Sequence, residues 1–283
     1  MSRLETYEIL GSYSDLLSII KRQKADRIIV ALDDRRGKLP VEDLVSCKFA
    51  GVSIDDSLNI QEELTGKIMT SGLYPSWLIF SDGFNQSRLL LATKRLLDII
   101  LSSILLIISL PIWLIIPILI KIDSAGPVFF SQRRVGEKEK IFKIFKFRSM
   151  RHEAEKTTGP VWCDVHDDRI TRVGNFIRRS RIDELPQLYN ILKGDMSFVG
   201  PRPERPSFVK KLKEIIPFYS ERFAIKPGLT GWAQINYPYG ANVEDANEKL
   251  EYDLFYIKHL SVLTDLIIVL RTAKVVLLRF GSR

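Results

Sequence analysis

Two adjacent carboxylates, Asp183 and Glu184, and an arginine held between two prolines, Arg202, are the residues of this sequence best suited to chemistry. They share one stretch, RIDELPQLYNILKGDMSFVGPRP, at residues 181–203. An aspartate and a glutamate are also ordinary residues at the start of a helix, so the pair alone does not indicate catalysis. However, five arginines lie between residues 169 and 184. A carboxylate that arginines keep ionised is a competent nucleophile or metal ligand.

The side chain and the setting of Arg202 indicate the class of reaction that these residues could catalyse. A planar guanidinium binds phosphate oxygens through two parallel hydrogen bonds, and Pro201 and Pro203 stiffen the chain that carries it. Neighbouring residues point about 100° apart around a helix, so Asp183 and Glu184 do not face each other across a bond as paired glycosidase acids do. Distinct roles at one phosphate fit them better. The residues therefore predict phosphoryl-group chemistry with Mg²⁺ as cofactor.

The segment that follows the acidic pair carries apolar residues at helical spacing (Leu185, Leu188, Ile191 and Leu192). This spacing predicts a helix over 184–193 that stops at Gly194. Because proline is tolerated only in the first turn of a helix, Pro186 places Asp183 near the N-cap and Glu184 in the first turn.

Residues 127–148 are predicted to form a β-hairpin, with PVFFSQRRV and IFKIFKFRS as strands around a GEKEK turn. Between residues 127 and 150 seven lysines and arginines face only two acids. Such a run forms either a solvated face or a patch for lipid headgroups. Lys146 and Arg148, at the end of the second strand, are the members we expect at the site.

A run of 22 residues without charge, 99–120, predicts a membrane segment, since a helix of that length measures ~33 Å. A buried helix of a soluble protein is the alternative. Lys94 and Arg95 precede the run and Lys121 follows it, and such basic residues collect on the cytoplasmic side of a membrane. Pro111 lies at mid-run, where proline breaks or kinks a helix. A re-entrant helix over about 96–122, with both ends in the cytosol, satisfies both observations.

The amino-terminal part alternates predicted strands (7–11, 27–32, 51–54 and 76–80) with predicted helices (14–23, 40–47 and 59–66). This order indicates a small parallel α/β unit over residues 1–85, followed by a linker at 80–87 and a second domain over 90–283. It lacks a glycine-rich nucleotide-binding motif, so a structural or regulatory role is favoured over a bound nucleotide.

The net charge of +8 favours anionic partners, which include nucleic acid, phosphorylated substrates and acidic lipid. A hydrophobic content of 46% excludes a disordered chain. Two cysteines, Cys47 and Cys163, fit neither a disulfide framework nor a zinc cluster.

Five motifs follow one another along the chain: KRLLD (94–98), GPVFFSQRRVG (126–136), IFKIFKFRSM (141–150), the 181–203 stretch and KPGLTGWAQIN (226–236). With the proline-broken apolar run, they resemble the monotopic polyprenyl-phosphate phosphoglycosyl transferases, bacterial sugar transferases that start exopolysaccharide and related glycan assembly. The resemblance covers roughly residues 90–280. It implies an α+β monotopic membrane domain with a re-entrant helix, on the cytoplasmic face of the bacterial inner membrane.

The resemblance also implies roles for particular residues. Asp183 attacks the sugar-bearing phosphate of a UDP-sugar, expels UMP and serves as a ligand of Mg²⁺; the polyprenyl (undecaprenyl) phosphate then takes the phosphosugar. Glu184 assists as metal partner or proton acceptor. Lys146, Arg178 and Arg202 match basic positions that hold phosphates.

Two features depart from the family pattern. Large members carry four transmembrane helices and a fuller Rossmann-like domain, and this chain is expected to begin inside that Rossmann-like domain, as a short form or a fragment. Small members often have Ser-Pro where this chain has Leu110 and Pro111.

A silent membrane scaffold and a nucleic-acid-binding protein are the alternative functions. The membrane run and the absence of a nucleic-acid recognition motif disfavour the nucleic-acid-binding protein. The identity of the sugar and the state of the chain as monomer or homo-oligomer stay open.

Overall fold

A computed structural model describes residues 9–32, 39–84, 86–151, 168–238, 240 and 242–277 of the chain. Cys163 lies outside these residues. The chain divides into two compact units, Met1–Gly72 and Leu73–Arg283. The domain limits drawn from the sequence, 1–85 and 90–283, stay a prediction, because compactness alone does not define where a domain ends.

The first unit alternates helices and strands as the sequence predicts. Its elements are a 3₁₀ turn (Tyr13–Asp15), α1 (Leu16–Gln23), β1 (Arg27–Val30), α2 (Val41–Phe49), β2 (Ser53–Asp56) and α3 (Ser57–Thr65). The two strands pair in parallel, with Arg27 opposite Ser53 and Val30 opposite Asp56. The mixed α/β character is confirmed. A two-stranded sheet among the described residues does not establish a Rossmann-like fold, which stays a prediction.

Two predicted strands differ from the structure. The segment predicted as a strand at 76–80 lies in a helix, α4 (Pro75–Phe80), so that prediction was wrong. Pro75 stands at the first helical position, where its fixed φ favours a helix, and a short apolar run does not distinguish helix from strand. Of the strand predicted at 7–11, residues 9–11 have no regular structure and residues 7 and 8 lie outside the described residues.

The charge-free run forms two helices bent by 62° at Ser109, α5 (Arg88–Ile108) and α6 (Leu110–Asp123). Pro111 lies in the first turn of α6, two residues after the bend. Its ring would collide with the carbonyl of Ile107 in a regular helix, which favours a break just before it, whereas Pro117 is accommodated inside α6. Within the described residues no single helix is long and apolar enough to cross a membrane, whereas this bent pair together meets that test of length and composition.

The bent pair exposes much of its apolar surface. The side chains left exposed include Ile104, Ile107, Ile108, Leu114, Ile115, Ile118 and Ile122. By contrast, Ile116 and Ile120 of α6 are buried in a cluster with Phe147 and Ile177. One face of α6 therefore packs against β4 and α7 of the same unit, while the rest presents an apolar surface of the kind that binds lipid or protein.

The second unit continues with a hairpin, then helices and one short parallel pair of strands. These elements are β3 (Phe129–Val135), β4 (Ile141–Phe147), α7 (Arg172–Arg179), α8 (Gln187–Lys193), β5 (Ser197–Val199), α9 (Pro206–Ile215), β6 (Gly228–Thr230), α10 (Trp232–Asn236), α11 (Val243–Lys258) and α12 (Val262–Leu277). The strands β3 and β4 pair antiparallel and place Lys146 opposite Phe130. The predicted hairpin is thus present. The strands β5 and β6 pair in parallel.

The core beside the hairpin joins β4 to α8. Ile144 of β4 packs with Leu188, Ile191 and Met196. The last three side chains have no exposed surface. Burial of each such side chain contributes about 1.5–3 kcal/mol, so this cluster holds the hairpin firmly against α8. As a result, Lys146 is fixed relative to the turn that precedes α8.

Candidate active site

The acidic pair lies in a 3₁₀ turn, Ile182–Glu184, between α7 and α8. The turn closes through bonds from the Glu184 amide to the Arg181 carbonyl and from the Leu185 amide to the Ile182 carbonyl, each 3.1 Å. The helix itself begins at Gln187, so the prediction that Asp183 caps a helix containing Glu184 was wrong. The chain around Pro186 makes tighter bonds three residues apart, from the Leu188 amide to the Leu185 carbonyl at 3.0 Å and from the Tyr189 amide to the Pro186 carbonyl at 3.2 Å, so the regular helix starts only after it. The predicted stop at Gly194 is confirmed.

Both carboxylates are buried, with 6% of Asp183 and 7% of Glu184 exposed. The Lys146 ammonium donates a hydrogen bond to Glu184 Oε1 at 2.8 Å and lies 3.8 Å from Asp183 Oδ2. The Arg202 guanidinium donates to the same Glu184 oxygen at 2.9 Å. The structure therefore brings together four residues that the sequence singled out, from three separate elements.

Two further arginines lie beside the pair. Arg181 Nη1 lies 3.6 Å from Glu184 Oε2, and Arg181 itself has a left-handed backbone with φ of 58°. Arg178, near the end of α7, is close enough to Asp183 to favour its charged form electrostatically. Sequence analysis gave Arg178 a role but not Arg181. The place of Arg181 two residues before Asp183 was the available signal.

The two carboxyl groups titrate differently. Burial raises the pKa of Asp183 above its usual value, and Lys146 only partly opposes this. Burial acts in the same direction on Glu184, but Lys146, Arg202 and Arg181 outweigh it and hold its pKa well below the usual value. Glu184 is therefore a firmly ionised acceptor of hydrogen bonds. Asp183 is the more basic carboxylate of the two.

Arg148 does not reach the acidic pair. Its guanidinium donates to the carbonyls of Ser124 at 2.6 Å and Ala125 at 2.9 Å, at the end of α6. It therefore satisfies carbonyls at a helix C-terminus, a structural role. The expectation that Arg148 joins Lys146 at the site was wrong: β4 ends at Phe147, and beyond that end the Arg148 side chain reaches the carbonyls that follow α6 instead of the acidic pair.

The segment that carries Arg202 is fixed by close backbone contacts. The Gly200 amide bonds the Thr230 carbonyl and the Gly228 amide bonds the Pro201 carbonyl, each at 2.9 Å. A Cβ added to Gly228 would lie 2.1 Å from the Gly200 nitrogen, so only glycine permits this approach.

A buried ion pair also holds the Arg202 segment. Arg222 donates to the Arg202 carbonyl at 3.0 Å and to Asp253 at 2.8 Å. The sequence carries no local signal for this pair, because the two opposite charges lie 31 positions apart.

The donor set at the pair suits a magnesium ion bound jointly with a substrate. Among the described residues there is no cluster of three acidic, histidine or cysteine side chains that would hold a metal alone. Magnesium, however, is commonly held by one or two carboxylates together with substrate phosphates. Of the two carboxylates, Asp183 would be the better ligand, because Glu184 Oε1 already accepts two hydrogen bonds.

Comparison of the sequence with known proteins identifies a family for this chain. The model described as "Bacterial sugar transferase" matches residues 89–279. The chain is 40% identical over 240 residues to the UDP-N-acetylgalactosamine-undecaprenyl-phosphate N-acetylgalactosaminephosphotransferase of Aeromonas hydrophila, a match that covers 85% of this chain and 56% of the relative. It is 36% identical over 277 residues to the UDP-glucose:undecaprenyl-phosphate glucose-1-phosphate transferase of Klebsiella pneumoniae, covering 95% and 58% respectively.

A shorter relative matches along nearly its whole length. The Exopolysaccharide production protein PSS of Rhizobium leguminosarum bv. phaseoli is 39% identical over 187 residues, which are 64% of this chain and 94% of that protein. The chain spans little more than half the length of the Aeromonas and Klebsiella relatives. Residues 89–279, which the family model matches, contain every residue of the candidate site. The resemblance drawn from the motifs is confirmed. The chain belongs to the bacterial sugar transferase family.

Proposed function

We propose that this chain transfers a sugar 1-phosphate from a UDP-sugar to undecaprenyl phosphate or a similar polyprenyl phosphate, with release of UMP. The observation that carries the proposal is the buried Asp183–Glu184 turn, with Lys146 and Arg202 on one Glu184 oxygen. This set offers a nucleophile beside fixed positive charge, which is what a phosphoryl transfer needs. The printed names of the Aeromonas and Klebsiella relatives describe transfers of this class.

In the first step, an oxygen of the Asp183 carboxylate attacks the phosphorus that bears the sugar. A new bond forms between aspartate oxygen and phosphorus while the bond from phosphorus to the bridging oxygen breaks, and UMP leaves with that electron pair. The raised pKa of Asp183 makes the ionised form a stronger nucleophile. Lys146 and Arg202 offset the negative charge that gathers on the phosphate oxygens.

In the second step, a phosphate oxygen of the polyprenyl phosphate attacks the same phosphorus. The bond between Asp183 and phosphorus breaks, which restores the carboxylate and releases the polyprenyl diphosphate sugar. Glu184 is held ionised, so its proposed role is to orient Lys146 and Arg202 rather than to accept a proton. Asp183 and the donor phosphates would hold Mg²⁺, which when bound supplies further charge neutralisation at the diphosphate.

The bent pair α5–α6 supports a membrane location for the proposed reaction. A lipid acceptor presents its phosphate at the membrane surface, and a re-entrant pair would keep the catalytic unit at that surface. Basic residues lie on both flanks of the apolar run, which supports the cytoplasmic face of the inner membrane. The reaction would then start exopolysaccharide or related glycan assembly.

The test uses the full chain in lipid nanodiscs with Mg²⁺, undecaprenyl phosphate and a panel of UDP-sugars, with UMP release as the assay. Intact-protein mass spectrometry with donor but no acceptor reports the covalent step. Wild type should release UMP with at least one sugar and gain the mass of a phosphosugar. The Asp183→Asn variant should fold and do neither. Undiminished UMP release by that variant would exclude Asp183 as the nucleophile.

A further inference from the structure

The helix α5 carries three charged side chains directly before its charge-free half: Lys94, Arg95 and Asp98. Only 7% of Lys94 and 4% of Asp98 is exposed. Charged groups are seldom buried this far unless they are paired, so their partners identify what the helix holds. None of the three contacts the acidic pair in any hydrogen bond that the described residues show.

Lys94 bonds the end of β5. Its ammonium donates to the Val199 carbonyl at 2.9 Å, to the Tyr256 hydroxyl at 3.0 Å and to the Asp265 carboxylate at 2.6 Å. Val199 is the last residue of β5, three positions before Arg202. The lysine therefore joins α5, α11 and α12 at the point where the Arg202 segment begins.

Asp98 holds the other end of the same strand. Its Oδ1 accepts hydrogen bonds from the Ser197 hydroxyl at 3.0 Å and from the Phe198 amide at 2.8 Å. Lys94 and Asp98 lie one turn apart on the same face of the helix. Together they attach all three residues of β5 to α5.

Arg95 bonds the second catalytic segment. Its two terminal nitrogens donate to the Ile191 carbonyl at 2.5 Å and the Leu192 carbonyl at 2.6 Å. These carbonyls lie in the last turn of α8, the helix that follows the acidic turn. A forked guanidinium matches two neighbouring carbonyls, which a single ammonium cannot do.

We propose that Lys94, Arg95 and Asp98 form a coupling cluster that sets the position of Arg202 relative to the acidic turn and ties that geometry to the seating of α5 in the membrane. This inference rests on the proposed function and adds to it the residues that position the catalytic segments. The three are positioning residues, because they act on β5 and α8 and not on substrate. The hydrogen bond between Arg202 and Glu184 forms only if β5 and α8 keep their relative positions.

The rest of α5 supplies the membrane part of this link. Beyond Asp98 the helix has no charge, and Ile99, Ile100 and Ile104 are exposed. An α-helix transmits tilt or depth along its length because its backbone hydrogen bonds keep it stiff. A displacement of α5 therefore moves both catalytic segments, and a misplacement of about 1 Å can cost a hundredfold in rate.

Arg95→Ala is the sharpest test. Arg95 is only partly buried, so the freed carbonyls can be hydrated and the variant should fold. In nanodiscs we expect kcat for UMP release to fall about tenfold to a hundredfold, with little change in the KM for UDP-sugar. Arg95→Lys should recover part of the loss. Arg88→Ala removes the same charge from an exposed position of the same helix and should keep wild-type kcat.

Hydrogen exchange of the full chain in nanodiscs gives a readout that does not need activity. We expect amides of 187–203 to exchange faster in Arg95→Ala than in wild type, and unchanged in Arg88→Ala. Equal kcat in Arg95→Ala and Arg88→Ala, or equal protection of 187–203, would overturn the proposal. If wild type released no UMP, the proposed function would fail, whereas the exchange data would still decide the coupling.

Discussion

Arg202 offers the clearest separation between a catalytic and a structural role. Its side chain is 34% exposed, and its hydrogen bond to Glu184 Oε1 measures 2.9 Å. Lys146 bonds the same oxygen, so Glu184 keeps a partner when Arg202 is shortened to alanine. A partly exposed ion pair contributes about 1 kcal/mol or less to folding. The melting midpoint of Arg202→Ala should therefore fall by only about 2–4 °C.

The effect on rate should be far larger. A fixed donor aimed at charge that develops on a transferring phosphoryl group is worth about 2.7–4 kcal/mol, which corresponds to 10²–10³ in kcat. Arg202→Lys should regain part of this, because an ammonium restores the charge but not the two parallel hydrogen bonds. The assay is UMP release in nanodiscs with saturating donor, alongside a thermal melt of each variant.

A matched control separates local charge from this specific contact. Arg205→Ala removes the same charge three residues along, where the guanidinium lies 5.8 Å from the Phe208 ring centroid. It should keep kcat close to that of wild type. If Arg202→Ala retained kcat within about threefold of wild type, less than 1 kcal/mol would remain for the contact and the assignment of Arg202 would be refuted.

The other predictions concern pH and topology. Because the pKa of Asp183 is raised, UMP release should fall as pH drops through a value above the ordinary ~3.9; an acid limb at or below 3.9 would contradict this. Because the pKa of Glu184 is depressed, its ion pairs stabilise the fold fully above ~4.3 and are lost as pH falls through the lower folded value. Glu184→Gln should therefore lower the melting midpoint at neutral pH and flatten its acid dependence, whereas an unchanged melt profile would argue against those pairs. Cysteines replacing Asp82 and Lys138 in a cysteine-free background should label from the same face of a vesicle, and labelling from opposite faces would exclude a re-entrant α5–α6.

Where the sequence predicted well, local rules were sufficient. The alternating strands of the 127–148 hairpin and the glycine stop at Gly194 follow from backbone and side-chain preferences within a few residues. Those rules failed at 76–80, where four consecutive apolar residues fit a helix as well as a strand. They also failed at the acidic turn, because the spacing of apolar residues does not distinguish the start of an α-helix from the 3₁₀ turn that residues 182–184 form.

The sequence identified which basic residues take part in the site, but it predicted the positions of their side chains only in part. Lys146 and Arg202 were identified, yet nothing in the sequence indicates that both bond one oxygen of Glu184. Arg148 was expected beside Lys146 and instead bonds carbonyls at the end of α6. Such assignments depend on contacts between segments far apart in the chain, which periodicity and motif spacing do not encode.

The charge balance around the acidic turn has a consequence for the order of events. Lys146, Arg178, Arg181 and Arg202 surround two carboxylates, so these protein side chains leave a net charge of +2. In the proposed mechanism the aspartyl phosphosugar carries one negative charge, as the Asp183 carboxylate did before it. Once UMP has left, the site regains the same net charge it had when it received the donor. The same side chains thus present an equal net positive charge to the UDP-sugar and then to the polyprenyl phosphate, provided that these two anionic substrates bind one after the other.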